Sequence, residues 1–147
     1  ESSSRGTKAA WFARHFPEMV IPDCTGDLNT RLSKLEATLT GASDLILVGS
    51  SYGGLLATIY ALRHEGRVKK LFLLAPALNF PDFVPFRGKR LKVPTWAWIG
   101  TGDQVTPART VEPLLRETFA RLSYHLVTDD HLLRKTFPEI EWHHFLS

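Results

Sequence analysis

A serine, an aspartate and a histidine stand out in this chain because of the segments that carry them. Ser51 lies in Gly49-Ser50-Ser51-Tyr52-Gly53, a G-x-S-x-G pattern that closes a continuous apolar run and opens into an apolar, alanine-containing stretch. At the end of a buried strand, on a tight turn into a helix, the serine oxygen projects above the sheet edge. There it lies near the positive end of the helix dipole. Gly49 and Gly53 remove side chains that would collide in such a turn, and Gly54 permits close packing of strand on helix. The backbone N–H of Tyr52 is placed to donate to a developing oxyanion. A phosphate-binding turn is the competing reading. No lysine stands at the phosphate-loop position, however, and the spacing is not G-x-G-x-x-G.

A serine hydroxyl is a weak nucleophile at neutral pH. It needs a base to take its proton and a third group to orient that base. In an open parallel α/β sheet these follow the serine in the order acid, then histidine, on later loops at the same edge. Asp103 sits in Gly100-Thr-Gly-Asp-Gln-Val-Thr-Pro107, after an apolar strand-like run. His131 sits in Val127-Thr-Asp-Asp-His-Leu-Leu133, after the last such run. His15 and His64 read as helical, His125 as part of a strand, and His143 and His144 as surface or packing residues of a terminal helix. Asp129 and Asp130 are rival acids, but a residue so near the histidine in sequence reaches its far ring nitrogen with difficulty. They read as charges supporting the site.

The elements that must carry these residues follow from hydrophobic periodicity. Thr7 to Phe16 reads as a short helix ended by Pro17, and Met19 to Ile21 as a short strand. Leu28, Leu32, Leu35 and Leu39 share one face of a helix that Asp27 or Asn29 can cap. Asp44 to Gly49, Val68 to Ala75 and Pro94 to Gly100 are unbroken apolar runs, the pattern of parallel strands buried on both faces. Ser123 to Thr128 is a further strand. Leu55 to His64 and Pro107 to Leu122 read as helices, the latter with Thr106 as N-cap and Pro107 in its first position. Trp96 and Trp98 are expected in the core on opposite sheet faces. Asn79 to Val93 is the one long irregular stretch, with Phe80, Phe83, Val84 and Phe86 followed by Arg87, Lys89, Arg90 and Lys92. It reads either as an apolar lip with a basic rim beside the site or as a loop packing its phenylalanines on the core. Strands alternating with helices imply a parallel sheet covered on both faces, in a single domain spanning residues 1–147.

Composition agrees with an ordinary globular chain: 147 residues, 44% hydrophobic, 22% charged, formal net charge +3. It excludes a disordered tail, a collagen-like chain and a disulfide scaffold. Cys24, the single cysteine, can form no internal bridge, which makes a reducing cytoplasm the expected compartment. No apolar run reaches the roughly 20 residues of a membrane span. The histidines and carboxylates show no metal-ligand spacing such as H-E-x-x-H, and no nucleic-acid motif accompanies the basic cluster. No metal, cofactor, membrane or nucleic-acid partner is expected.

Taken together, Leu45 to Leu55, Gly100 to Pro107 and Thr128 to Leu132 resemble the α/β-hydrolase superfamily. In length and motif dialect the chain is most similar to the small YqiA-like esterases. The resemblance implies a three-layer fold with a mostly parallel sheet and a minimal lid. It implies a Ser51–Asp103–His131 triad and an acyl-enzyme route for a carboxylic ester or thioester. Acyltransferases, peptidases and lyases of the same fold, and a binding protein that kept it, are the alternatives. In that family a first strand ends in His-Gly-Phe and supplies a second oxyanion donor, and Glu1-Ser-Ser-Ser-Arg-Gly-Thr-Lys-Ala9 is similar to the loop that follows it. The first strand is therefore expected to precede Glu1.

Overall fold

The computed structural model describes residues 6–147. The Glu1–Arg5 part of the loop, and the strand expected before it, lie outside the described residues. Four strands, β1 (Leu45–Ser50), β2 (Val68–Leu74), β3 (Thr95–Gly100) and β4 (Leu122–Val127), form one sheet in the order β1-β2-β3-β4. Every neighbouring pair is parallel. All strand C-termini therefore meet at one edge, where Ser51, Asp103 and His131 follow β1, β3 and β4.

Each parallel step needs a crossover from that edge back to the other. Helix α3 (Tyr52–Arg63) joins β1 to β2, and α4 (Ala108–Thr118) joins β3 to β4. Right-handed crossovers between successive strands put these connections on one sheet face. The alternation of side chains shows the result. Leu71, Leu73, Ala97 and Ile99 enter a core with α3, α4 and α2 (Leu28–Thr38). Phe72, Leu74 and Trp98 enter a second core with Phe12 of α1 (Thr7–His15) and Trp142 of α5 (Trp142–Phe145). The layers are helix, sheet, helix. Asp27 caps α2, its carboxylate accepting the Thr30 N–H at 2.8 Å, and Leu32 of that helix is buried. Among the described residues no helix is long and apolar enough to cross a membrane.

Several expectations are corrected by this arrangement. Trp96 and Trp98 lie on the same face, both stacked on Phe72 and both against Phe145. A step of two along a strand returns to the same side. Met19–Ile21 forms no ladder. Met19 and Ile21 turn toward the second core while Val20 is 66% exposed, so the alternation is real but no strand among the described residues pairs with it. The side chains of β1 from Leu45 to Val48 are only half-buried, because β1 is an outer strand of the described sheet. Helix α4 stops at Thr118, earlier than its pattern implies. Beyond it the chain extends and pairs Phe119 with Leu91, the Leu91 N–H donating to the Thr118 carbonyl at 2.7 Å.

The segment from Asn79 to Val93 is the crossover from β2 to β3. It holds a 3-10 helix, Pro81–Phe86, that descends along α3: Asp82 meets Tyr52 at the top of α3, and Phe86 lies under the Arg63 guanidinium at its foot. Phe83 is fully buried, with Phe80 and Phe86 packed on the same core. The basic group then closes the opposite end of the fold. Arg90 donates to the carbonyls of Arg116 and Glu117 at the C-terminal end of α4, and Arg87 pairs with Glu117. Cations there complement the helix dipole. The loop-packing reading holds, and the alternative of a basic rim beside Ser51 does not form.

Candidate active site

The turn after β1 is built from backbone contacts. Ser51 adopts φ 55° and ψ −117°, a conformation that costs a non-glycine residue about 1–3 kcal/mol. Its N–H donates to the Leu74 carbonyl at 2.8 Å, and its own carbonyl accepts from Gly54 and Ala77 at 3.0 Å. A Cβ on Gly49 would fall 2.8 Å from the Gly54 Cα and nearer still to the Gly53 carbonyl. Gly54 is required by the loop after β2: a Cβ there would come within 2.8 Å of Pro76 Cβ. Tyr52 is the first residue of α3, so its N–H has no partner inside the helix. Its side chain is tied down, the phenol donating to Asp82 at 2.6 Å with the Arg31 guanidinium 4.4 Å over the ring. Burial, with the Asp82 carboxylate beside it, pushes this phenol up to about 12.

The three residues singled out in the sequence come together. Ser51 Oγ lies 2.9 Å from His131 Nε2, and His131 Nδ1 lies 2.8 Å from Asp103 Oδ2. A carboxylate only accepts, so Nδ1 carries the ring proton and Nε2 of the neutral imidazole is left to accept from the serine hydroxyl. The Asp103 side chain is wholly buried and that of His131 is 19% exposed. Burial alone would raise the Asp103 carboxyl. The Thr106 N–H, His131 and the Thr106 hydroxyl outweigh that and hold it below the ordinary carboxylate range. Its Oδ1 accepts from the N–H groups of Val105 and Thr106 at 2.9 and 2.7 Å, and its Oδ2 from the Thr106 hydroxyl at 2.7 Å. With the His131 bond, the four acceptor positions of the carboxylate are filled.

Asp129 and Asp130 do not compete for the imidazole; they shape the loop that carries it. Asp129 accepts from the N–H groups of Asp130, Lys135 and Thr136, and Asp130 from that of Leu132. Burial acts to raise the Asp129 carboxyl, but these backbone donors lower it overall. The Asp129 carbonyl in turn accepts the Gly102 N–H at 2.9 Å, which joins the histidine loop to the aspartate loop. From the far side Lys8 of α1 donates to the Leu132 carbonyl at 2.7 Å.

Two contributors escaped the sequence reading. Thr106 reads as the cap of α4 from its sequence, yet Pro107 occupies that position and the Thr106 hydroxyl faces Asp103. The Asp-x-x-Thr spacing is the available signal, since a carboxylate reaches the N–H three residues on. Lys8 lies 124 positions from its partner, a contact no local pattern announces. An apolar cavity of about 200 Å³ runs along the outer side of β1 between Phe12, Ile21, Cys24 and Val48. It reaches Gly49 and Gly53 but not Ser51, so it lies beside the turn rather than over the hydroxyl. Among the described residues no three His, Cys, Asp or Glu side chains are grouped to hold a metal.

A strained serine turn between a parallel strand and a helix, followed by acid and histidine loops at the same edge, defines the α/β-hydrolase class. The family described as alpha/beta hydrolase fold matches residues 2–96, and this chain belongs to it. That match includes Ser51 and ends before Asp103 and His131. Among solved structures, a protein described as a predicted CIB-like hydrolase from Thermoplasma acidophilum is similar at TM-score 0.62 and 18% identity. The similarity covers 78% of this chain and 55% of that one, so this chain spans little more than half its length. An alpha-beta serine hydrolase homologue from Coxiella burnetii gives TM-score 0.73 at 16% identity over 93% and 74% of the two chains. An esterase from Exiguobacterium antarcticum gives 0.65 at 18% over 84% and 76%. At these identities the likeness is one of fold. No curated protein matches the sequence.

Proposed function

We propose that this protein is a serine hydrolase that cleaves carboxylic ester or thioester bonds through an acyl-enzyme, with motifs that resemble those of YqiA-like esterases. The hydrogen-bonded series Ser51 Oγ, His131 Nε2, His131 Nδ1, Asp103 Oδ2, at 2.9 and 2.8 Å, is the observation that carries the reading. Ser51 Oγ attacks the acyl carbon as its proton passes to His131 Nε2. Asp103 holds the imidazole and stabilises the imidazolium. The Tyr52 N–H, at the N-terminus of α3, donates to the oxyanion. Collapse of the tetrahedral intermediate breaks the bond to the alcohol or thiol, which takes the proton from Nε2. Water then repeats the sequence on the acyl-serine, and the scheme calls on no cofactor. The similar structures include proteins described as an esterase and as a monoacylglycerol lipase, which supports an ester as the bond cleaved.

A fluorophosphonate probe tests the assignment. The protein is expected to be labelled on Ser51 and to turn over short-chain p-nitrophenyl esters. Ser51→Ala should lose labelling and lower turnover on the order of 10⁴- to 10⁶-fold while the circular dichroism spectrum is kept. Labelling that persists in this variant sinks the assignment of the nucleophile.

A further inference from the structure

Thr106 is fully buried, and its single hydroxyl stands among three groups. Its Oγ1 is 2.7 Å from Asp103 Oδ2, 3.3 Å from His131 Nδ1 and 3.3 Å from the Ala75 carbonyl oxygen. A hydroxyl has one proton to give and two lone pairs to receive. Two arrangements therefore fit the same atoms. In one, His131 Nδ1–H and the Thr106 O–H both donate to Asp103 Oδ2. In the other, Nδ1–H is shared with Thr106 Oγ1 while the Thr106 O–H turns to Ala75. The Ala75 carbonyl is held for this. Ala75 takes a left-handed φ of 48° just after β2, and its N–H is fixed on the Trp98 carbonyl at 2.8 Å.

We propose that Thr106 is a positioning residue that keeps the Nδ1–H of His131 partnered while the imidazole shifts from Ser51 to the leaving group. The proposal rests on the hydrolase reading given above. In acylation the serine proton moves to Nε2. The ring must then present that N–H to the leaving oxygen, a different point in space from Oγ. Nδ1–H swings with it, and an acceptor beside Asp103 Oδ2 widens the arc over which this buried donor stays bonded. The step transfers one proton from Nε2 to the leaving oxygen as the acyl–oxygen bond breaks; the proton on Nδ1 is never released.

Leaving-group dependence separates this role from a purely structural one. Thr106→Val keeps the shape and removes the hydroxyl, and Thr106→Ser restores it. With a p-nitrophenyl and an ethyl ester of the same acyl group, kcat/KM reports acylation alone. The nitrophenolate leaves without a proton and the ethoxide does not. Thr106→Val is expected to lower kcat/KM for the ethyl ester on the order of tenfold more than for the p-nitrophenyl ester, and Thr106→Ser to recover most of the loss. Equal losses for the two esters, or a folded Thr106→Ser that behaves like Thr106→Val, overturn the proposal. If Thr106→Val does not fold, Thr106→Ala against Thr106→Ser makes the same comparison. Fluorophosphonate labelling, whose fluoride leaves unprotonated, should persist in every folded Thr106 variant. Its absence from the unmodified protein would instead sink the hydrolase reading itself.

Discussion

Gly100 is the last residue of β3, and its backbone is not in the left-handed region, so alanine is acceptable to the chain itself. What alanine meets is the histidine loop. A Cβ at this position would stand 2.7 Å from both the Asp129 carbonyl carbon and the Asp130 carbonyl oxygen, with the Asp129 oxygen nearer still. Ordinary contact begins near 3.4 Å, so the loop must retreat by about 0.7–1 Å. His131 is the next residue. The same retreat carries Nε2 from 2.9 Å to about 3.5 Å or more from Ser51 Oγ, outside hydrogen-bond range. A displacement of this size costs up to about 10²-fold in rate, and forcing an extra methyl into a packed site costs about 1–3 kcal/mol. Gly100→Ala should therefore fold, unfold at lower urea, and hydrolyse a p-nitrophenyl ester some 30- to 100-fold more slowly in kcat/KM. Gly66→Ala, which meets nothing within 4 Å, is the control and should match the parent. A folded Gly100→Ala within about threefold of parent turnover would show that contact between the two loops does not set the position of the imidazole.

Asp129 supplies two oxygens to three backbone donors, and asparagine keeps one acceptor oxygen. Asp129→Asn should lose about 1–2 kcal/mol in urea unfolding and lower kcat more than KM; an unchanged midpoint and rate would remove Asp129 from the account. Asp103 and Asp129 are both held below the ordinary carboxylate range. Their contribution to stability is complete above the unfolded-state value near 4 and is lost as pH falls through the lower folded values. Melting temperature should decline on that acid side, and Asp103→Asn should flatten the decline. An equally steep decline in the variant would place the acid sensitivity elsewhere.

Much of this architecture is written in local pattern. The unbroken apolar runs around Leu47, Leu73 and Ala97 are strands because a parallel sheet buries both faces, and the step from Val48 through Ser51 to Leu55 marks its turn by glycine alone. The order of Ser51, Asp103 and His131 follows from strand order, since parallel strands deliver every following loop to one edge. Tertiary partners are what local pattern does not carry. Met19–Ile21 alternates as a strand would but has no strand beside it among the described residues. Phe119 continues the α4 pattern, yet it is drawn out of the helix by Leu91. Arg87 and Arg90 read as a charged rim until the crossover carries them to the foot of the sheet, where their partners are Arg116 and Glu117. Thr106 has the composition of a cap, and only the buried carboxylate beside it shows where the hydroxyl goes.

That crossover puts a cluster of four cations at the end of the sheet away from Ser51. Arg87, Lys89, Arg90 and Lys92 are all exposed at the end where the strands begin, while Ser51 and His131 open at the end where they finish. Adsorbed through this cluster onto a negatively charged bead or film, the protein would stand with its Ser51 edge toward the liquid. Immobilisation of this kind should leave diffusion of solutes to Ser51 unobstructed.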